Sequence, residues 1–183
     1  MRISFSLLAL WNRGRRDEAV TYFFKLRSDT NQAMADGLAW DEVVNNTVDA
    51  TKSLPSEFGG LTLTNPVTQD KREVDFGDGY VLVIKPDVVE PEIVWEMKTG
   101  RRSSIRHGNS MQVPIYMLAY EMLGEPKKKG IIVHYDQYLN QTDWFVIFNN
   151  QKLMDRTRKW IKKNADEFKA FLIDQGLWEE EKN

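Results

Sequence analysis

Three residues in the middle of the chain have side chains whose types and spacing could do chemistry. Asp87 directly follows Pro86, and Glu96 and Lys98 stand two positions apart in a short, mostly apolar run. Side chains alternate between the two faces of a strand, so Glu96 and Lys98 would project from the same face. The spacing therefore places a carboxylate and an ammonium group side by side.

An extended run over 80–89 brings a second carboxylate toward this pair. An unbroken strand there would carry on one face Val81, Val83, Lys85, Asp87 and Val89. If this strand forms a hairpin with 92–98, the carboxylates of Asp87 and Glu96 approach each other. Two ionised carboxylates about 4 Å apart repel by roughly 4 kcal/mol at an effective dielectric constant near 20, so the pair requires a cation or a shared proton. Mg²⁺, which prefers oxygen ligands, is the simplest choice.

A further carboxylate stands out by helical periodicity. At about 100° per residue, one stripe of a helix comprises Met34, Gly37, Leu38, Val44 and Val48. Asp41 falls in the middle of that stripe, whereas Glu42 points away from it. A buried carboxylate is costly unless it is paired or binds a metal, so Asp41 is a candidate metal ligand.

A basic segment follows Lys98 and contains Arg101, Arg102 and Arg106 with no acidic residue. Beside a metal site this segment would hold phosphate groups, although alone it is also typical of a solvated loop. Two histidines have ordinary structural interpretations. His107 is an inert residue of that loop, and His134, on a predicted strand, is a satisfied core histidine.

The spacing of these residues resembles a nuclease signature. Pro86-Asp87, eight intervening residues and Glu96-Met97-Lys98 resemble the PD-(D/E)xK motif of a superfamily that includes restriction enzymes, lambda-type exonucleases and RecB-like nucleases. Gln112 and Tyr116, four residues apart on one helical face, resemble the Q-xxx-Y motif of the RecB-like branch. The opening Ser4 to Leu8, followed by a helix, is also similar to that branch.

The resemblance implies a restriction-endonuclease-like core and a metal-dependent DNA nuclease. Asp87, Glu96, the Met97 carbonyl and Asp41 would hold Mg²⁺ or Mn²⁺, and Lys98 would act on the attacking water. Gln112 and Tyr116 would position Lys98 or the phosphate, and the three arginines would grip the DNA backbone. Such enzymes process DNA ends in recombination, repair or phage replication, which implies exonuclease action leaving 5′-phosphates.

Two features depart from the RecB-like pattern. Relatives usually carry a histidine four residues after a glycine where this chain has Asp41 after Gly37, so the ligand changes from nitrogen to oxygen and Mg²⁺ becomes more natural than Mn²⁺. The chain has no cysteine, which excludes an Fe–S cluster, and with only two histidines it has little from which to build a zinc site.

Other interpretations of the same residues stay open. Asp87 could cap a strand end, and Glu96 with Lys98 could be an exposed ion pair. The chain could be a catalytically inactive nuclease-fold module that binds DNA or a protein partner. It could also be an endonuclease specific for branched structures.

Helices and strands alternate in the elements that must position these residues. Periodicity predicts helices over 4–26 with a break at Gly14, and over 31–52, 111–123 and 151–174. It predicts strands near Leu61 and Val74 and over 80–89, 92–98, 130–135 and 143–148. This order predicts an α/β fold with a central mixed sheet flanked by helices on both sides. With no linker or repeat, we expect a single domain over 1–183.

Composition limits the classes of partner. The 183 residues are 42% apolar and 28% charged with a net charge of −2, so nucleic acid must bind a local patch rather than the whole surface. The absence of cysteine suits a reducing compartment, and we expect a cytoplasmic protein. No run approaches the ~18 apolar residues of a membrane span. A homo-oligomer or a replication or recombination partner is compatible with the sequence.

Overall fold

The computed structural model describes residues 1–25, 32–100 and 107–178, with the backbone alone over 32–37. The helices are α1 Phe5–Asn12, α2 Arg16–Phe23, α3 Gln32–Thr51, α4 Gln112–Met122 and α5 Gln151–Asp174. The strands are β1 Arg2–Ser4, β2 Val67–Thr68, β3 Arg72–Gly77, β4 Tyr80–Ile84, β5 Val88–Val89, β6 Ile93–Thr99, β7 Lys129–Asp136 and β8 Gln141–Phe148. A short 3₁₀ turn at Ser56–Phe58 follows α3.

The strands form two sheets. The larger has the order β2-β5-β6-β7-β8, in which β6 and β7 are parallel and the other neighbours are antiparallel. The smaller has the order β1-β4-β3, with β1 parallel to β4. The larger sheet is therefore mixed, as predicted, and β6 lies at its centre.

Helices cover both faces of the larger sheet. On one face, apolar side chains of β6 and β7 share a core with α1, α4 and α5, for example through Val94 and Ile132. On the other face, Trp95 and Met97 pack with Val44 and Val48 of α3. Because side chains alternate between the two faces of β6, they pack into two separate cores. The predicted fold class is confirmed.

Helix α4 lies unusually close to the sheet because β7 carries a glycine at the contact. A Cβ atom placed on Gly130 would lie 2.1 Å from Cγ1 of Val113 and 3.0 Å from the sulfur of Met117. Only a residue without a side chain allows this approach. The first turn of α4, which carries Gln112, is thereby held over β6.

The run over 80–89 is two strands rather than one. β4 ends at Ile84 and belongs to the small sheet, whereas β5 begins at Val88 and belongs to the large one. Pro86 lies between them, and its missing N–H interrupts a strand ladder. The predicted common face is therefore wrong: Lys85 is exposed, while Val89 is only 5% exposed.

Other boundaries differ in smaller ways. Residues 2–4 form β1 before the first helix, and the break at Gly14 is confirmed, with a φ of 73°. Near Leu61 the predicted strand is reduced to an isolated bridge between Ser53 and Thr62. The predicted helix over 151–174 has the predicted bounds. Among the described residues, no helix has both the length and the apolar character needed to cross a membrane.

Candidate active site

The two predicted carboxylates meet where β5 and β6 form an antiparallel hairpin. Val88 pairs with Trp95, and continuing this register by one pair places Asp87 opposite Glu96. The Asp87 carboxylate accepts a hydrogen bond of 2.7 Å from the Met97 N–H. Asp87 therefore comes close to Glu96, as predicted. The short strand β5, which begins at the next residue, places it there, and the single long strand predicted over 80–89 does not form.

Glu96 is the buried centre of the site, with 3% of its surface exposed. Its Oε1 accepts hydrogen bonds from the Lys98 ammonium and, at 2.6 Å, from Gln112 Nε2. Its Oε2 is buried and has no hydrogen-bond partner among the described residues. Burial raises the pKa of Glu96, and the charge of Lys98 opposes that rise. The nearby Tyr116 hydroxyl also lowers the pKa of Glu96, but Oε2 is removed from water without a hydrogen bond of good geometry, which is costly.

The charges of Asp87 and Lys98 depend on Glu96. Burial, followed by the nearby Glu96 charge, raises the pKa of Asp87 well above its usual value. Burial lowers the pKa of Lys98, but the negative charges of Glu96 and Asp87 outweigh it, and the net shift is upward. Lys98 is therefore held as an ammonium ion between two carboxyl groups that would both gain from a further cation.

Helix α4 supplies the two polar residues predicted from the Q-xxx-Y pattern. Gln112 Nε2 donates to Tyr116 Oη at 2.7 Å as well as to Glu96. The Tyr116 hydroxyl in turn donates to the Lys85 carbonyl at 3.4 Å. Burial raises the pKa of Tyr116 well above its usual value, so the phenol keeps its proton. These contacts join α4 to β6 and to the crossing between β4 and β5.

Asp41 lies at the rim of the site rather than in the middle of a buried stripe. Leu38, one turn earlier, is 63% exposed, so the predicted apolar stripe does not extend that far. The side chains of 34 and 37 lie outside the described residues. Burial raises the pKa of Asp41, and the charges of Lys98 and Lys85 oppose that rise. The charge of Lys98 therefore acts on Asp41 as it does on the two central carboxylates, and Lys85 is a basic neighbour that the sequence did not single out.

The donor set fits a hard cation with few protein ligands. No three acidic or histidine side chains within the described residues lie close enough together to hold a metal ion by themselves, so Asp41 does not complete a triad with Asp87 and Glu96. The unpartnered Glu96 oxygen and the raised pKa of Asp87 leave room for positive charge between two carboxylates. Mg²⁺ typically takes one or two carboxylates and completes its shell with water and phosphate oxygens.

The remaining predicted residues lie around this centre or beyond the described chain. Arg101, Arg102 and Arg106 lie outside the described residues. His134 is 2% exposed, and its Nε2 lies 3.1 Å from the Gly100 carbonyl, but its buried Nδ1 has no partner within the described part of the chain. It is therefore only partly satisfied, contrary to the prediction. His107 stacks on it with ring centroids 4.8 Å apart.

Comparison with known proteins rests on structure alone. No family model matches the chain and no curated protein is similar to it in sequence. A candidate exonuclease from Eubacterium rectale superposes with a TM-score of 0.65 at 13% identity, covering 97% of this chain and 83% of that one. A protein named SSO0001 superposes with a TM-score of 0.59 at 18% identity, covering 90% and 75%.

An alkaline exonuclease from Laribacter hongkongensis superposes with a TM-score of 0.57 at 12% identity, covering 96% of this chain and 91% of that one. A second structure of that enzyme contains dAMP and superposes with a TM-score of 0.50 at 13% identity, covering 95% and 93%. The chain has an exonuclease-like fold. In this exonuclease-like fold, a hydrogen-bonded group forms around the C-terminal half of the central strand β6. It comprises Asp87, Glu96, Lys98, Gln112 and Tyr116.

Proposed function

We propose that this protein is a metal-dependent deoxyribonuclease that hydrolyses phosphodiester bonds at DNA ends and leaves 5′-phosphates. The observation that carries the proposal is the meeting of Asp87, Glu96 and Lys98, with one buried Glu96 oxygen left unpartnered. The exonuclease-like fold supports it, since two of the similar structures bear exonuclease names.

Asp87, Glu96 and the Met97 carbonyl are the proposed metal ligands. The N–H and C=O of one strand residue point to the same neighbouring strand, and the Met97 N–H points at Asp87. When bound, Mg²⁺ would stabilise charge on the phosphate and lower the pKa of the attacking water. Asp41 would serve at the rim, through water or through a second ion.

Lys98 would stabilise the negative charge that develops on the phosphate. Its ammonium group is fixed by Glu96 and keeps its proton because two carboxylates surround it. A cation that is already oriented toward the reacting group stabilises a transition state more than a freely moving, solvated one does. Lys98 would also orient the attacking water.

Gln112 and Tyr116 would hold the side chains of Glu96 and Lys98 in position. Gln112 bridges the Glu96 carboxylate and the Tyr116 hydroxyl, which fixes the rotamer of Glu96 and, through it, the ammonium of Lys98. Arg101, Arg102 and Arg106 would contact the phosphates that flank the cleaved bond.

The test is cleavage of end-labelled linear duplex DNA with Mg²⁺, compared with EDTA. We expect cleavage by the wild-type protein, and loss of at least about a thousandfold in Asp87→Ala and Lys98→Ala. Glu92→Gln is the matched control, because Glu92 is exposed at the opposite end of β6 and pairs with Lys128. Undiminished cleavage in both site variants would remove the assignment.

Two further substrates and one titration separate the alternatives. An exonuclease degrades linear DNA and spares closed circles, whereas an endonuclease specific for branched structures cuts a four-way junction. The 5′-phosphate is checked by ligation of the product. Calorimetric titration with Mg²⁺ in the presence of DNA distinguishes an inactive module, which would bind DNA without binding the ion.

A further inference from the structure

His134 lies on the same face of the sheet as the candidate active site. β6 and β7 run parallel with Glu96 opposite Ile132 and Lys98 opposite His134. Paired residues of neighbouring strands project to the same face, and the strands lie about 4.8 Å apart. The imidazole therefore stands one strand away from the Lys98 side chain.

The His134 ring contacts the two chain segments that leave and re-enter the site. On one side, its Nε2 donates to the carbonyl of Gly100, two residues after Lys98, at 3.1 Å. On the other side, it stacks on the ring of His107 with an interplanar angle of 28°. The first segment is the end of β6, and the second leads into α4.

The segment held by the ring stack leads directly to Gln112. The carbonyl of His107 accepts a hydrogen bond of 2.9 Å from the Ser110 N–H, and the Ser110 hydroxyl accepts one of 3.2 Å from the Gln112 N–H. The same imidazole is therefore linked to the strand that carries Lys98 and to the turn that carries Gln112. Both side chains converge on Oε1 of Glu96.

The chemistry of the buried ring argues against a role in packing alone. His134 is 2% exposed, and over 1–25, 32–100 and 107–178 its Nδ1 meets no hydrogen-bond partner. Burial of an unpaired polar atom is unfavourable, and a phenylalanine would fill the space without that cost. What an apolar ring lacks is the N–H donor at Nε2, which binds the Gly100 carbonyl.

We infer that His134 is a positioning residue that sets Lys98 and Gln112 against Glu96 by holding Gly100 and His107. This inference rests on the proposed nuclease function. Its effect falls on the chemical step, since a catalytic group displaced by about 1 Å can cost up to about a hundredfold in rate. The affinity for DNA depends mainly on phosphate contacts elsewhere.

The experiment compares three variants of the full chain with Mg²⁺ and an end-labelled duplex. His134→Phe keeps the ring stack and removes the donor, so we expect kcat to fall about tenfold or more with KM within about threefold. His134→Gln carries an Nε2 donor and should recover most of kcat. Val133→Ala is the matched control, since Val133 is equally buried in the same strand and faces the other core. It should lower Tm without lowering kcat.

A kcat of His134→Phe within about twofold of wild type would overturn the inference, as would a Gln variant no better than the Phe variant. A readout without turnover separates this failure from failure of the proposed function. In the metal-free protein, the ¹³Cε resonance of Lys98 should move in His134→Phe and stay in place in Val133→Ala. Absence of cleavage by wild type refutes the nuclease, whereas an unmoved Lys98 resonance refutes the positioning role.

Discussion

Two buried glutamates six residues apart, Glu90 and Glu96, have the same side chain in two different hydrogen-bond environments. Glu90 is 7% exposed, and both of its oxygens are occupied, one by the Thr64 N–H and the other by the Trp95 indole N–H at 2.6 Å. Glu96 is 3% exposed, and one of its oxygens has no hydrogen-bond partner in the described chain. Glu90 lies in the turn of the β5–β6 hairpin, whereas Glu96 lies in the middle of β6.

The lysines beside the two glutamates differ in the same way. Lys127 donates to the carbonyls of Glu90 and Pro91, each at 3.2 Å, and lies over the Tyr120 ring at 4.5 Å. Its partners are neutral dipoles. Lys98 is held by a carboxylate and keeps part of its surface open. Glu90 and Lys127 thus belong to a closed hydrogen-bond network. Glu96 and Lys98 form a charged site in which a carboxylate oxygen and part of the lysine can still bind a ligand.

Replacing Glu96 should have the largest effect. Glu96→Gln should reduce Mg²⁺-dependent cleavage by about a thousandfold or more, because it removes a proposed ligand and the anchor of Lys98. The free energy of unfolding should fall by less than the roughly 3–5 kcal/mol that removal of one partner of a buried ion pair costs, because Asp87 remains beside Lys98 and its repulsion from Glu96 is relieved. Labelled-DNA assays and urea titration measure the two quantities.

The same replacement at Glu90 should have the opposite effects, lowering stability and leaving cleavage almost unchanged. Glu90→Gln turns one acceptor oxygen into an N–H₂ group that faces another donor, so it should destabilise the fold by about 1–3 kcal/mol. Cleavage per folded molecule should stay within about twofold of wild type. A loss of activity equal to that of Glu96→Gln would show that Glu90 and Glu96 do not differ in their role.

Binding of Mg²⁺ should stabilise the wild-type protein. At a concentration one hundred times the dissociation constant, a ligand specific for the native state adds about 2.7 kcal/mol, which calorimetry detects as a rise in Tm. Glu90→Gln should keep the rise, and Asp87→Asn should lose it. A rise of the same size in Asp87→Asn would place the ion elsewhere.

The pH dependence of stability tests the charge state of Asp87. Its pKa is raised above 3.8 by burial and by Glu96, so the native protein binds more protons than the unfolded chain above pH 3.8. Its contribution to stability is complete below that pH and declines as pH rises through the native pKa. Metal-free Asp87→Asn should therefore gain stability relative to wild type as pH rises, as measured by urea unfolding. A constant difference across that range would contradict the raised pKa.

Among the replacements at the candidate active site, Tyr116→Phe should have the smallest effect. The variant keeps the buried ring and loses the hydroxyl that accepts from Gln112 and donates to the Lys85 carbonyl. Because Gln112 retains its bond to Glu96, we expect kcat to fall about three- to tenfold with Tm nearly unchanged. Steady-state kinetics measure the first, and a drop of a thousandfold would make Tyr116 a reacting group.

Much of the candidate active site was predictable from the sequence, because it depends on the spacing of residues within one strand and one helix. The period of two along 93–99 placed Glu96 and Lys98 together, and the spacing of Gln112 and Tyr116 placed them on one helical face. The division of 80–89 between two sheets was not predictable, since an apolar run looks the same in either sheet. Pro86 was the one signal that could have marked it.

The sequence by itself determined the mixed α/β order of elements and the pairing of polar groups within a strand or a helix, because those depend on periods of 2.0 and 3.6 residues. Only the tertiary structure decided which strand carries Asp87 to Glu96, that Asp41 lies at the rim, and that His134 joins Gly100 to His107. Those contacts join segments far apart in the chain, and burial and strand register set them rather than local pattern.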